Sequence, residues 1–260
     1  MLQRDSKVDG SGLQLGCCAT LVVNERKMRI RASTLGMLQA VTISVTTMAS
    51  VLLVVGLRPN RKRFIPFYSD ASHNEPERSV LSLGENAALV FGTLTQTAEY
   101  EWLRALAKRS GNENMRVFVK MYGWCGAVAM TCWFVTANVP TVRPVIEVHQ
   151  LGASLLMVAL AGQGSLKWWM VGRLHGAFGT GGRGWIRWQR TVRAGVAGVL
   201  WMAVFGTWIC FVGRRRFGIM ALVKVMTAFV YAGTVAAISL MVLTAVDVKG
   251  QWVELLVDAE

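Results

Sequence analysis

The sequence predicts an all-α, polytopic integral membrane protein built as a six-helix bundle, and three observations carry that prediction. Of the 260 residues, 53% are hydrophobic, 10 are Trp, and the mean hydropathy is +0.40, too apolar for an ordinary soluble domain. Six apolar runs approach the ~20 residues that one helix needs to cross a bilayer core. Finally, the 28 Lys and Arg residues, set against 15 Asp and Glu, lie almost entirely between those runs. Basic flanks of that kind fit anionic lipid headgroups better than nucleic acid, for which no recognition module is present.

The predicted spans cover residues 34–56, 80–98, 117–139, 144–164, 194–213 and 219–246. The first follows a basic N-terminal tail, residues 1–33, whose cluster "ERKMRIR" marks it as an uncleaved anchor rather than a signal peptide. The run "GLQLGCCATLVV" within that tail is too short to cross a bilayer. Glu85 and Asn86 interrupt the second span, and Glu147 and His149 the fourth. A short C-terminal tail, residues 247–260, follows the sixth. Basic residues in the two tails and the even-numbered loops outnumber those in the odd loops, so both termini are expected in the cytosol. "RPNRKR" and "GRRRF" oppose that bias.

The five cysteines (Cys17, Cys18, Cys125, Cys132, Cys210) show no CxxC or Cys/His ligand spacing. Neither an HxxxH nor an HxxxD pattern occurs, and no motif supplies a catalytic nucleophile. No enzyme activity, cofactor or metal is therefore expected. The Gly-rich segment "GRLHGAFGTGGRGWIRWQR" lacks the Gly-Lys-Ser/Thr ending of a phosphate loop. It reads as a basic interfacial loop, with Trp168, Trp169, Trp185 and Trp188 near it, suited to anionic lipids of the cytosolic leaflet. "YEWL", residues 100–103, has the form of a cytosolic sorting signal, but such matches are frequent by chance and Tyr100 and Trp102 read first as interfacial aromatic anchors.

The loop "PFYSDASHNEPE" carries no glycosylation sequon. Pro66 and Pro76 stiffen its ends, Ser69 and Asp70 favour a turn, and Glu77 suits the positive N-terminal end of the second helix. A folded cap over the outer face follows. Ionisable side chains within spans are functional candidates. Glu85, His149 and Lys224 each lie about six residues inside their spans, roughly 8–9 Å deep at ~1.5 Å per residue. Asn138 ends the third span on the same side, and Glu147 is shallower. A polar cluster beneath the cap is expected, with Glu85 or Glu147 as counter-charge to Lys224, serving either as a structural ion pair or as a ligand site.

These residues resemble motifs of the FRAG/DRAM/SFK family of six-span proteins, which includes the damage-regulated autophagy modulators. Pro66, Ser69, Asp70, Pro76 and Glu77 match the spacing of that family's Pro-Tyr-Ile-Ser-Asp motif and Pro-Glu pair, with Phe67-Tyr68 in place of Tyr-Ile. Val148, His149, Gly152 and Ala153 resemble its Val-His-x-x-Gly-Ala, and "TANV" around Asn138 resembles its Ala-Asn ending of the third span. Val230-Tyr231 stands where the family often has Glu-Trp. The resemblance implies a non-enzymatic membrane regulator of autophagy or lipid-linked trafficking, with membrane lipids and trafficking proteins as partners. It also implies an endolysosomal or plasma-membrane location, with the Golgi or endoplasmic reticulum as alternatives. Its other branch implies a Golgi-type factor that remodels GPI-anchor lipids. A channel or transporter is disfavoured by the lack of an inverted repeat or paired broken helices.

Overall fold

The computed structural model describes residues 13–15, 19–24, 27–57, 75–141, 145–173, 183–217, 222–249 and 251–256. Six long helices dominate it: α1 (Ala32–Leu57), α2 (Glu77–Ser110), α3 (Glu113–Asn138), α4 (Ile146–Arg173), α5 (Arg183–Phe217) and α6 (Leu222–Asp247). Each coincides with a predicted span, but α2, α4 and α5 run well past the predicted limits at the end of the bundle where α1 begins and α6 finishes.

Four helical segments are long and apolar enough to cross a membrane: α1, α3, Arg187–Arg214 of α5, and α6. Helices α2 and α4 fall short because they carry polar residues turned inward. Glu85, Thr95 and Glu99 of α2 are buried, as are His149, Gln163 and Lys167 of α4. Outward faces show the opposite chemistry. Val41, Val45, Met48, Leu52 and Val55 recur at three- and four-residue spacing on α1 and are exposed, as is Trp124 on α3. A helix apolar on its outer face suits contact with hydrocarbon rather than with water.

Packing follows chain order. Consecutive helices lie against one another and α1 closes the ring on α6, while α6 also reaches α2 and α4 across the centre. The tightest connection joins α2 to α3. Gly111 takes the left-handed conformation at φ 66° and its N–H bonds to the Lys108 carbonyl, ending α2. Asn112 then caps α3 by accepting from the Met115 N–H at 3.3 Å. Between the helices a small-residue core, including Ala129, Ala159, Ala161, Ala236 and Ala237, admits close contact around Leu160, Leu200 and Leu240.

A small sheet adds a feature that the tails did not predict. Strands β1 (Leu13–Leu15), β2 (Ala19–Asn24), β3 (Lys27–Arg31) and β4 (Trp252–Leu256) pair antiparallel in that order. Segments read from the sequence as separate N- and C-terminal tails thus meet, with Ile30 opposite Val253. The Ala32 N–H bonds to the Gln251 carbonyl at 3.0 Å and fastens the start of α1 to the strand following α6. This is the sheet-bearing end of the bundle; the ends of α1, α3 and α5 and the starts of α2, α4 and α6 form the far end.

Candidate functional site

At the far end, two residues of the expected polar cluster make contacts that the sequence reading did not name. Asn86 and Asn138 bond reciprocally, each Nδ2 donating to the other's Oδ1 at 3.1 Å, and so join α2 to the last residue of α3. His149 Nδ1–H donates to the Val139 carbonyl at 2.7 Å, bringing α4 to the same corner. Gly152, one turn further on, sits so close to α3 that an added Cβ would lie 3.0 Å from Val135 Cγ1. Glu77 opens α2 and is buried directly after the exposed Pro76, and Glu85 is buried two turns on. Pro66, Ser69 and Asp70 lie outside the described residues.

The expected ion pair to Lys224 does not form among the described residues. Lys224 and Glu147 are both exposed. The buried stripe of α6 passes through Val223 and Thr227. One residue turns a helix by about 100°, so Lys224 is carried off that stripe however deep it lies. "YEWL" is likewise unsuited to the sorting role, being part of continuous helix α2 with Leu103 fully buried.

Toward the sheet-bearing end lies a site that the sequence reading did not assemble. Lys167 of α4 forms an ion pair with Glu99 of α2 and a second, at 2.9 Å, with Asp247 Oδ2 of α6. Asp247 Oδ1 accepts from Arg193 Nη2 of α5 at 2.6 Å, and the Tyr122 hydroxyl of α3 donates to Glu99 Oε2. All four charged side chains are at most 2% exposed. Two carboxylates and two cations leave the cluster formally neutral, which offsets the desolvation of several kcal/mol per ion that burial imposes. Aromatic rings complete the setting, since the Lys167 ammonium lies 5.5 Å from the Trp102 ring and 5.6 Å from that of Tyr122. Asp247 ends α6, where the helix dipole disfavours a carboxylate. Lys167 and Arg193 together supply the compensating charge.

Beside this quartet, nearer the middle of the bundle, is a cavity of about 30 Å³. Carboxamides of Gln39, Gln96 and Gln163 line it with Thr95, Thr244 and Tyr122, against apolar walls that include Trp133 and Leu160. Among the described residues, no group of three or more His, Cys, Asp and Glu side chains forms a potential metal site.

Each missed residue lay at or just beyond the end of a predicted span. Glu99 and Asp247 follow directly after spans two and six, Arg193 precedes span five, and Lys167 lies just past the end of span four. A signal was present nonetheless. Glu77, Leu81, Glu85, Ala88, Gly92, Thr95, Glu99 and Leu103 repeat at three- and four-residue intervals, all of them buried. That periodicity extends one helical face past Ala98 and marks Glu99 as inward.

No family model matches this chain, no curated protein matches it, and no solved structure matches its fold.

Proposed function

We propose that the protein crosses the membrane six times with both tails in the cytosol, and acts without catalysis as a regulator of autophagy or lipid-linked membrane trafficking. The motif resemblance to the FRAG/DRAM/SFK family supplies the process. The observation that carries the regulator reading is the core formed by the described residues: the charges of its quartet pair with one another, and the adjoining cavity of about 30 Å³ is far too small for a lipid headgroup. Recognition then falls to the surface.

The sheet-bearing end offers such a surface. Arg104, Lys108, Arg109, Arg116, Arg173 and Arg190 are exposed on the ends of four helices there. Basic residues beside a membrane attract anionic lipids by about 1 kcal/mol each, so the cytosolic leaflet is the natural partner and endolysosomal or plasma membrane the natural location. Helices α2 and α4 cross despite their polarity because their polar stripes face protein rather than lipid.

Autophagic flux, measured in the protein's own cells after its depletion and after return of wild type or a Lys108→Gln/Arg109→Gln variant, tests the reading. Altered flux restored by wild type and only weakly by the variant is the expected result. Unchanged flux together with altered lipid chains on GPI-anchored proteins would instead assign the protein to lipid remodelling.

A further inference from the structure

The central cavity presents hydrogen-bond donors that the protein leaves unused. Gln163 is only 3% exposed, and its Nε2 has no hydrogen-bond partner; the buried Nε2 of Gln96 on α2, though its side chain lies beside the Tyr122 hydroxyl, makes no hydrogen bond of proper geometry either. An unsatisfied buried amide is costly, and in native interiors such groups are met by protein or by ordered water. Neither carboxamide is there through loose packing. Gly126 of α3 creates the recess for both, since a Cβ at that position would stand 2.8 Å from Gln96 Nε2 and 3.0 Å from Gln163 Nε2. Gly92 of α2 makes similar room for Gln39 of α1. Three carboxamides from three helices thus converge on one space, and glycines on two neighbouring helix faces leave that space open.

The volume and the lining decide the occupant. About 30 Å³ exceeds the roughly 10–15 Å³ that one water requires on the same measure. Apolar cavities of this size remain dry, but this one offers the two to four polar partners that hold a buried water. The unused groups are donors, so they call for an acceptor oxygen. A bare cation would instead face the amide hydrogens of Gln96 and Gln163.

We propose that this cavity is a built internal hydration site, holding one or two water molecules that accept hydrogen bonds from Gln96 and Gln163 within the membrane-embedded bundle. Tyr122 lines the same cavity and donates its hydroxyl proton to Glu99. The water therefore adjoins the ionic quartet and extends its polar network toward the middle of the bundle, to Gln39 on α1.

Hydroxyl-radical footprinting of the full chain in lipid nanodiscs tests this, because radicals generated from internal water oxidise the side chains beside it. Tyr122 and Trp133 line the cavity and are 3% and 4% exposed; Met115 and Met170, at 1% and 0%, do not line it and serve as dry controls. After correction for intrinsic reactivity, Tyr122 and Trp133 are expected to be oxidised several-fold faster than the two methionines. Gln163→Leu, which removes the polar partner, and Gly126→Ala, which narrows the recess, are expected to bring those rates down toward the controls. Wild-type rates at Tyr122 and Trp133 no higher than at Met115 and Met170 would overturn the proposal, and that comparison stands even where a variant does not fold. Rates that fall when sodium or potassium is added to the wild type would also overturn it, by showing an ion in place of water.

Discussion

At the sheet-bearing end, ionised side chains from α2, α4, α5 and α6 are withdrawn from solvent and joined to one another, with a tyrosine of α3 bonded to the cluster. At the far end the hydrogen bonds described above run through side-chain amides and an imidazole, beside the buried carboxyl groups of Glu77 and Glu85. Two asparagines pair across α2 and α3, and a histidine bonds to a backbone carbonyl. Glu85 and Glu99 lie on the same buried stripe of α2, about 21 Å apart at ~1.5 Å per residue. One helix face therefore serves both ends. Their energetic character differs because the ionic end depends on the simultaneous presence of four partners. The asparagine pair and the histidine bond at the far end are separable contacts, and the two asparagines retain some exposure.

The sharpest way to break this contrast is Lys167→Met, which strands Glu99 and Asp247 with a single cation between them. Removing one partner of a buried ion pair costs about 3–5 kcal/mol, so denaturant unfolding in detergent should show the largest loss of any single variant discussed. A double-mutant cycle sharpens the point. Glu99→Gln combined with Lys167→Met should be less damaging than the sum of the two, by a coupling of about 0.5–3 kcal/mol. Strict additivity would show that the two groups do not act as a unit.

Next in size is Tyr122→Phe, which removes one charge-assisted hydrogen bond and should cost about 1.5–3 kcal/mol in the same assay. At the opposite end Asn138→Ala should lower stability by only about 0.6 kcal/mol, the usual worth of a polar contact between membrane helices. The smallest effect belongs to Lys224→Ala. Its side chain is exposed, and a change within about 0.5 kcal/mol is expected. A loss at Lys224 as large as that at Lys167 would erase the distinction between the two ends.

Much of the architecture was legible in the residues. The apolar runs located the six described helices, four of which are long and apolar enough to cross a membrane, because a hydrophobic stretch and a helical backbone meet the same demand in hydrocarbon. Asn138, near the end of one such run, and His149, interrupting another, stood out for the same reason. Hydropathy was a poor guide to where the helices stop. It ended α2 at Ala98 and α4 at Gly164, and so assigned Glu99 and Lys167 to solvent when the helices carry both onward into the bundle. It also placed Lys224 beside Glu85 by depth alone, whereas helical rotation decides which side of α6 the ammonium occupies.

The sequence by itself determined the solvent this chain is suited to, the number of long helices among the described residues and their order along the chain. Those are local properties, set by how many consecutive residues avoid water and by what separates them. The tertiary structure alone decided which charges meet. Glu99, Lys167, Arg193 and Asp247 are spread over 149 positions of sequence, and only a ring that closes α1 on α6 brings their helices around one centre. It also paired strands from opposite ends of the chain, and left three glutamines around a space the size of a water molecule or two. Pairing of that kind depends on helix rotation and relative height, and neither quantity is present in any single stretch of residues.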